Sequence, residues 1–253
     1  MSDHDALEPF SRLRDRDYAR EGLIACEGRI VLEKAITAGL AIRSILCVPS
    51  DEDFWREKAP SGTPVLCLPR PAMVDHVGFG FHRGVLALAE RPVPGDPATA
   101  PSGHALVLWN VTDPDNLGTL IRSAAALGAS RVYLGGGCAD PFSRKALRAS
   151  MGNALTFPAF MLGGPEELPL AKGPDGTNRL VAAALVPGAL GPGELSGNEA
   201  LSLVLGNEGW GLPDDVLANC DQAVALPMAF GVDSLNVGAA GAILMWEFFR
   251  NRP

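Results

Sequence analysis

The sequence of 253 residues predicts an α/β fold built around a parallel sheet. Short apolar runs, ALVLWN, RVYLGG, LVAAALV and SLVLG, alternate with helical stretches such as NLGTLIRSAAALGA. Strands that are apolar throughout and separated by helices indicate a parallel sheet covered on both faces. A hydrophobic content of 47% over this length is enough for one large domain or two ordinary ones.

A proline-rich segment divides the sequence into two predicted domains. The stretch ERPVPGDPATAPSGH, residues 90–104, holds four prolines and two glycines, which is typical of an interdomain linker. We therefore divide the chain into a leader (1–20), a small α/β domain (21–90), a linker (91–102) and a larger α/β domain (103–253).

The remaining elements follow from periodicity and flanking residues. In the first domain ACEGRIVLEKAITAG is predicted as a helix that ends at Gly39, where glycine supplies a left-handed C-cap. SILCV, PVLCL and GVLALAE are predicted strands, and DEDFWREK is a predicted charged helix. In the second domain SRKALRAS, PDDVLANC and SLNVGAAGAILMWEFFRN are predicted helices, and QAVALPM is a predicted strand.

Charge, cysteines and hydropathy exclude several classes of protein. A net charge of −8 argues against a general basic surface for nucleic acid, so any RNA contact must be local. The five cysteines are odd in number and lack a CxxC pair, so we expect buried apolar residues rather than disulfides or a zinc site. The histidines show no ligand spacing, and no metal is predicted. No signal peptide or membrane-length apolar run is found, which predicts a cytoplasmic protein without a membrane partner.

Three strand-to-loop junctions in the second domain share polar amides, small residues and prolines. They are NVTDPDNLGTLIRSAAALGA (110–129), LVLGNEGWGLPDD (203–215) and LPMAFGVDSLNVGAAGAILMWEF (226–248). In open parallel sheets, ligands bind at the edge where the strands end. The glycine-rich turn of the second segment carries a glutamate and no lysine, so it is unlike a phosphate-binding loop.

Together these three segments resemble the SpoU (TrmH-like) branch of the SPOUT RNA methyltransferases. The matching motifs are Asn110 and Asp113-Pro114-x-Asn116-Leu117-Gly118 with Arg122, then Gly206-Asn207-Glu208-Gly209-x-Gly211, then Leu226-Pro227-Met228 with Ser234-Leu235-Asn236-Val237. The stretches GLIACEGRIVLEKAITAG and FHRGVLALAE look like the L30e-like RNA-binding domain that precedes the catalytic domain in many members.

The resemblance implies a deep trefoil knot in the carboxyl-terminal domain, S-adenosylmethionine as cofactor, and a homodimer. It also implies methylation of a ribose 2′-hydroxyl in ribosomal or transfer RNA, with a modest preference for ribosomal RNA because the amino-terminal domain is full-length. The cofactor-binding residues that it implies are Gly206, Leu226 and Leu235, with Met228 and Asn207 beside them. The catalytic residues that it implies are Arg122, Asn116, Glu208, Ser234 and Asn236.

The cofactor carries no phosphate, so apolar residues with free backbone amides suit it better than a phosphate-binding loop. We expect Gly206 to let the backbone approach the cofactor closely. The run of small residues 238–242 suits a close approach of another backbone, either in the knot or at a dimer seam.

Arg122 is a charged residue on an otherwise apolar predicted helix, so its side chain must reach solvent, a partner or a site. The resemblance to the SpoU family implies that this arginine takes part in activating the 2′-hydroxyl. A guanidinium stays protonated and is a poor general base, so we assign an electrostatic role. It would hold a phosphate of the target nucleotide and stabilise the developing alkoxide, while the phosphate or a water takes the proton. A plain surface arginine is the alternative.

The polar residues of the motifs also have structural interpretations. Asn116 could cap the predicted helix that starts at Leu117, and Ser234 is a natural N-cap for the last helix. Glu208 could lie near the sulfonium, pair with Arg122 or a neighbouring subunit, or accept backbone N–H bonds within its turn. We favour the last of these, with an indirect effect on catalysis.

Arg144, Lys145 and Arg148 form a basic cluster on a predicted helix and are candidates for RNA contact, although a solvated helix face is the commoner role of such a run. A non-catalytic RNA-binding or assembly factor on the same fold is the alternative function. A nucleotide-binding oxidoreductase is disfavoured, because the glycine fingerprint is missing after ALVLWN.

Overall fold

The structure is a computed structural model, and it describes residues 7–11, 14–79, 83–195, 199–230 and 234–249. Contacts divide the chain into two compact units. The first unit comprises Met1–Val93 and Phe142–Thr156, and the second comprises Pro94–Pro141 and Phe157–Pro253. Phe142–Thr156 thus packs with the first unit, although the sequence-based division assigned it to the second domain.

The elements of the two units are as follows. The strands are β1 (Leu23–Glu27), β2 (Ile42–Cys47), β3 (Val65–Cys67), β4 (Val85–Glu90), β5 (Ala105–Trp109), β6 (Arg131–Gly135), β7 (Ala159–Met161), β8 (Arg179–Ala183), β9 (Leu201–Leu205) and β10 (Gln222–Val224). The α-helices are α1 (Asp15–Arg20), α2 (Arg29–Thr37), α3 (Glu52–Lys58), α4 (Arg70–Val77), α5 (Pro114–Leu127), α6 (Arg144–Ala149), α7 (Asp214–Leu217) and α8 (Val237–Phe249).

The first unit is built on a four-stranded mixed sheet in the order β1-β4-β2-β3. Strand β4 is antiparallel to β1 and β2, and β3 is parallel to β2. The predicted strands β2, β3 and β4 and helix α3 are confirmed. Phe81 and His82, which begin the quoted stretch FHRGVLALAE, lie outside the described residues.

The helix predicted over ACEGRIVLEKAITAG is wrong in its first part. Residues up to Glu27 form β1, and the helix begins only at Arg29. The break falls at Gly28, whose φ of 92° lies in the region that favours glycine. The predicted end is confirmed, because Gly39 has φ 73° and donates its N–H to the carbonyl of Ile36 at 2.9 Å.

The predicted leader and linker both contribute buried side chains. Phe10 is fully buried in the core of the first unit together with Tyr18, whose hydroxyl donates to the carbonyl of Pro9. In the second unit Ala100 is 3% exposed within the core, and Gly95 donates its N–H to the carbonyl of Ala159. These segments are integral parts of the two units.

The second unit is built on a six-stranded sheet in the order β10-β8-β9-β5-β6-β7, and every neighbouring pair is parallel. The predicted α/β class with a parallel sheet is therefore confirmed. Every residue of β5, β6 and β9 is buried, as expected for central strands of a sheet covered on both faces. Strand β7 was not predicted.

Glycines bring α8 against α5 and the sheet within this unit. A Cβ at Gly241 would lie 2.4 Å from Cδ2 of Leu120 on α5 and 2.7 Å from Cδ1 of Leu205 on β9. A Cβ at Gly238 would lie 3.4 Å from Cγ2 of Thr119. The run of small residues therefore permits close helix packing inside the unit.

The cysteines are unpaired among the described residues, and two of the five are buried. Burial raises the pKa of the Cys26 thiol to about 12, which keeps it protonated. Within the ranges that the structure describes, no His, Cys, Asp or Glu side chains gather in a group that could hold a metal ion. The helices of the same ranges lack the length and hydropathy that crossing a bilayer requires.

Candidate active site

The candidate site lies at the carboxyl edge of the second sheet, where β9 and β5 are neighbours. From β5 the chain continues to β6 and β7 on one side, whereas β8 and β10 lie on the other side of β9. Open parallel sheets bind ligands at such a reversal. The side chain of Asn207, just after β9, donates to the carbonyl of Asn110, just after β5, at 2.9 Å. Asn110 has φ 55°, a left-handed conformation that asparagine tolerates.

Asn207 fixes the turn that follows β9. It exchanges two backbone hydrogen bonds of 3.0 Å with Gly211. Its side-chain Oδ1 accepts the N–H of Gly209 at 2.8 Å and that of Trp210 at 3.3 Å. The turn is therefore rigid, and Asn207 has a structural role in addition to any cofactor contact.

Gly206 must be glycine because this turn folds back against it. A Cβ at position 206 would lie 2.5 Å from the carbonyl carbon and oxygen of Gly211 and 2.8 Å from Cγ of Leu212. The backbone that lies close against Gly206 is therefore that of the protein's own turn at Gly211.

Replacing Gly206 with alanine is expected to displace the turn and lower the free energy of unfolding by about 1–3 kcal/mol, as overpacking typically does. Urea unfolding measures this loss, and calorimetric titration with S-adenosylmethionine measures the accompanying loss of affinity. Gly193→Ala is the matched control, because a Cβ there meets no atom within 4 Å. Equal stability of the two variants would contradict the packing argument.

A cavity of about 370 Å³ opens beside this turn. Its lining includes all five predicted cofactor-binding residues and two of the predicted catalytic residues, namely Gly206, Asn207, Leu226, Met228, Leu235, Glu208 and Ser234. Cavities of this size suit small-molecule cofactors. The second and third sequence motifs therefore share this cavity, whereas no residue of the first motif lines it.

The cavity has an apolar floor and free backbone groups along one wall. Leu205, Leu212, Val224 and Leu244 line it and are almost completely buried. On the segment between β10 and α8, neither Leu226 nor Met228 donates its backbone N–H to a carbonyl within the part of the chain that the structure describes. Such groups can hold the polar edge of a heterocycle against an apolar wall.

Residues 183–186 line the cavity and were missed by the sequence-based interpretation. Ala183 is the last residue of β8, and residues 184–186 follow it, although the strand predicted from LVAAALV extended through Val186. The rule that ligands bind where parallel strands end applied to this junction as well. Leu185 and Val186 lack the polar or glycine signal that drew attention to the other three junctions.

Three predicted catalytic residues form a chain of hydrogen bonds, here called the amide relay: Glu208, Asn116 and Asn236. The Nδ2 of Asn116 donates to Oε1 of Glu208 at 3.0 Å, and the Nδ2 of Asn236 donates to Oδ1 of Asn116 at 3.0 Å. Asn236 in turn accepts the N–H groups of Gly238 at 2.9 Å and Ala239 at 3.3 Å. The relay joins one residue from each of the three motifs.

The chemistry at its two ends sets the direction of the relay. Backbone N–H groups at the start of α8 can only donate, so the amide oxygen of Asn236 must face them and its nitrogen must face Asn116. Glu208, when ionised, can only accept, so the amide nitrogen of Asn116 must face it. Both asparagine orientations are therefore determined.

Two predicted helix caps are wrong. Helix α5 begins at Pro114 rather than Leu117, and its N-cap is Asp113, whose side chain accepts the N–H of Asp115 at 2.9 Å. The side chain that accepts N–H bonds at the start of α8 belongs to Asn236, and Ser234 lies on the cavity instead. Asparagine and aspartate cap as well as serine, so the sequence did not decide between neighbours.

Glu208 has a partner that the sequence-based interpretation did not consider. The N–H groups of Gly209 and Trp210 are accepted by Asn207, so the expectation that Glu208 accepts backbone N–H bonds within its turn is wrong. Glu208 instead accepts the side chain of Asn116 on α5 and lines the cavity. Its carboxylate therefore ties the turn to the helix that carries Arg122.

Arg122 is exposed on α5, and its guanidinium makes no ion pair or hydrogen bond with any residue in the described ranges. The second unit has 15 acidic and 6 basic residues, a net charge of −9, whereas the first unit has a net charge of +1. Of the four basic residues described in the second unit, Arg131 is fully buried. Lys172 pairs with Asp221 at 2.7 Å, and Arg179 pairs with Glu199 at 3.7 Å.

Arg122 is consequently the exposed and unpaired cation among the described residues of the second unit. An acidic unit repels polyanions, so this guanidinium is the group among the described residues of the unit that can bind a phosphate. The same acidic field favours a cationic ligand in the cavity.

The basic cluster of α6 belongs to the first unit, and two of its members have structural partners. Arg144 binds the carboxylate of Asp15 at 3.0 Å and stacks over Phe79 at 3.9 Å from the ring centroid. Arg148 lies 3.6 Å from the buried carboxylate of Glu27. Lys145 is the exposed member. RNA contact by this cluster stays a prediction, and Lys145 is the member whose exposed side chain is most accessible to RNA.

Comparison with known proteins assigns the chain to a family. The SpoU rRNA Methylase family matches residues 103–246, which covers more than half of the chain. The chain belongs to the SpoU rRNA methylase family. The resemblance inferred from the three motifs is confirmed.

Relatives of this SpoU chain extend over nearly its whole length. An uncharacterized tRNA/rRNA methyltransferase of Mycobacterium bovis is 33% identical over 99% of this chain and 88% of its own length. The 23S rRNA (guanosine(2553)-2′-O)-methyltransferase RlmP of Bacillus subtilis is 30% identical over 92% of this chain and 90% of its own length. The crystal structure of an AdoMet-bound rRNA methyltransferase from Sinorhizobium meliloti has a TM-score of 0.82 at 25% identity, covering 98% of this chain and 93% of that one.

Proposed function

We propose that this SpoU protein is an S-adenosylmethionine-dependent methyltransferase that methylates a ribose 2′-hydroxyl in structured RNA, with ribosomal RNA favoured over transfer RNA. The observation that carries the proposal is the single cavity lined by all five predicted cofactor residues, tied by the amide relay to the helix of Arg122. RlmP is named as a 2′-O-methyltransferase of 23S rRNA, and the Sinorhizobium meliloti protein was crystallised with AdoMet.

The cavity suits this cofactor on three counts. Its volume of about 370 Å³ lies within the usual range for small-molecule sites. The free backbone groups of Leu226 and Met228 can bind the adenine, and the apolar floor can hold its face. Glu208 and the net charge of −9 favour the positive sulfonium. The bound cofactor supplies an activated methyl group.

Residues of the cavity and of the neighbouring helix α5 position the RNA for transfer. Arg122 holds a phosphate of the target nucleotide and stabilises the negative charge that develops on the ribose oxygen, while the phosphate or a water accepts the proton. Ser234 offers a hydroxyl on the cavity wall, and the amide relay fixes the turn of Glu208 relative to α5. Holding the hydroxyl in line with the methyl group supplies much of the rate enhancement.

We further propose a homodimer, a trefoil knot in the carboxyl-terminal half, an L30e-like first domain and a cytoplasmic location, as the family resemblance implies. The dimer has support in α8, where Ala239, Ile243 and Trp246 form an exposed apolar stripe at helical spacing. Gly238 and Gly241 on the opposite side face α5. A second copy of the chain would cover the stripe.

Ile243→Asp tests the dimer, because dimerisation would bury the new carboxylate in the middle of the apolar stripe without a partner. We expect the sedimentation coefficient to shift from dimer to monomer, while the circular dichroism spectrum is unchanged. Ile30→Asp is the matched control, since Ile30 is an equally exposed isoleucine on α2, at 44% compared with 47%. A dimer that survives Ile243→Asp would place the interface elsewhere.

The target RNA can be identified in cells that lack the protein. Mapping of 2′-O-methyl positions in ribosomal and transfer RNA should reveal one site that is lost without the gene and restored by complementation. Complementation with Arg122→Ala should not restore it. Unchanged maps in both RNA classes would favour the alternative of a non-catalytic assembly factor.

A further inference from the structure

Trp210 is the most exposed tryptophan of the described residues, and it stands at the mouth of the candidate cavity. Its side chain is 83% exposed, whereas Trp55 and Trp109 are buried. It lines the cavity together with Leu185, which is 68% exposed on the loop after β8. Because both exposed side chains line one cavity, they offer an apolar surface that a ligand or partner can cover.

The indole is presented on a rigid support. The N–H of Trp210 donates to Oδ1 of Asn207, and the residues on either side of the turn, Asn207 and Gly211, are paired through two backbone hydrogen bonds. The neighbouring Glu208 is bound to Asn116 on α5. Because hydrogen bonds hold both ends of the turn, the backbone of Trp210 is already ordered before a ligand binds. Binding to the ring therefore carries no entropy cost of ordering the loop.

We propose that Trp210 stacks on a nucleobase at the methylation site and so positions the target ribose at the cavity mouth. This inference rests on the proposed function. The transfer step requires a ribose hydroxyl at the mouth of the cavity, and the base of a nucleotide that leaves its stack to reach this place needs another surface. Unstacked RNA bases are commonly bound by aromatic side chains.

The charge of the second unit favours stacking over phosphate binding as a source of RNA affinity. The unit has a net charge of −9, and Arg122 is its exposed unpaired cation among the described residues. Stacking of a base on the neutral indole ring is not opposed by the negative electrostatic potential of the unit. The exposure of Trp210 also favours contact with substrate over contact with cofactor, because the deeper part of the cavity is lined by nearly buried residues such as Leu212 and Leu244.

Trp210→Ala should raise the KM for RNA by about tenfold or more, in line with the measured worth of base–aromatic stacking. The kcat at saturating RNA and the Kd for S-adenosylmethionine should stay within about twofold of wild type. Trp210→Phe should recover most of the affinity, since it keeps a ring. Leu170→Ala is the control, because Leu170 is an exposed apolar residue of the same unit that does not line the cavity.

The salt dependence gives a second readout. The ratio of KM values between Trp210→Ala and wild type should be the same at low and high salt, because stacking releases no counterions. A ratio that collapses at high salt would overturn the proposal.

Three other outcomes would also overturn it, and each has its own signature. A tenfold weaker Kd for S-adenosylmethionine would place the indole on the cofactor, dissociation in the ultracentrifuge would place it in a subunit interface, and an unchanged KM would leave it without a role. If wild type transfers no methyl group, the proposed function fails instead. Fluorescence anisotropy with labelled ribosomal RNA then tests the stacking separately, with Trp210→Ala expected to weaken binding.

Discussion

Arg122→Ala is expected to lower kcat for methyl transfer by at least about 100-fold, the usual effect of removing a group that stabilises transition-state charge. The Kd for S-adenosylmethionine should stay within about twofold, because Arg122 does not line the cavity. The second unit offers no replacement within its described residues, since Arg131 is buried and both Lys172 and Arg179 are paired with carboxylates. Isothermal titration and a filter-binding methylation assay measure the two quantities.

Arg122→Lys separates charge from geometry. A lysine keeps the positive charge but cannot bind a phosphate through two parallel N–H groups, so we expect an intermediate activity. An equal loss of cofactor affinity and of transfer rate in Arg122→Ala would contradict the electrostatic role, because it would mean that the arginine supports the cavity itself.

The second large effect is expected at the amide relay. Asn116→Asp replaces the donor to Glu208 by a carboxylate, so two carboxylates meet where a hydrogen bond of 3.0 Å stood. The turn that lines the cavity should then move away from α5. We expect kcat/KM to fall by about tenfold or more, consistent with the loss of a hydrogen bond to a charged group.

Glu208→Gln provides the partner variant for a double-mutant cycle. A glutamine oxygen can still accept from Asn116, so the single variant should retain part of its activity if hydrogen bonding is what matters. In the double variant, the glutamine amide can donate to the new aspartate, and the hydrogen bond reforms with its direction reversed. The aspartate still accepts from Asn236. The double variant should therefore be more active than Asn116→Asp alone.

The coupling free energy of this cycle is expected to be about 1–3 kcal/mol, as for other residues in direct contact within one network. Strictly additive effects on kcat/KM would contradict the relay. If Glu208→Gln is as inactive as Glu208→Ala, the negative charge of Glu208 is what matters, and its hydrogen bond to Asn116 is not sufficient.

The sequence predicted those parts of the fold that depend on local pattern. Central strands such as β5 and β9 are apolar throughout, and Gly39 ends α2 because glycine adopts a positive φ readily. The boundary between β1 and α2 was not predicted. LIACE and RIVLEK are both apolar enough for either state, and only pairing with β4, far along the chain, makes the first a strand.

All five predicted cofactor-binding residues lie on one cavity, but residues 183–186 and the hydrogen-bond partners of the polar side chains could not be predicted. Asn116 is 92 residues from Glu208 and 120 from Asn236, so their hydrogen bonds exist only after the sheet has brought the three motifs to one edge. Arg144 likewise meets Asp15 across 129 residues, and its α6 cluster packs with the first unit rather than the second. Contacts of this range leave no signal in a single sequence.

The alkali resistance of the methylated RNA tests the central claim most directly. Ribosomal RNA is incubated with the protein and methyl-labelled S-adenosylmethionine, then hydrolysed to completion with alkali. Cleavage requires a free 2′-hydroxyl, so a ribose 2′-O-methyl group protects the adjoining phosphodiester bond and leaves the label in a dinucleotide. We predict label in dinucleotides with wild type and at least about 100-fold less label over the same time with Arg122→Ala. Label in mononucleotides would show base methylation and contradict the assignment to the ribose.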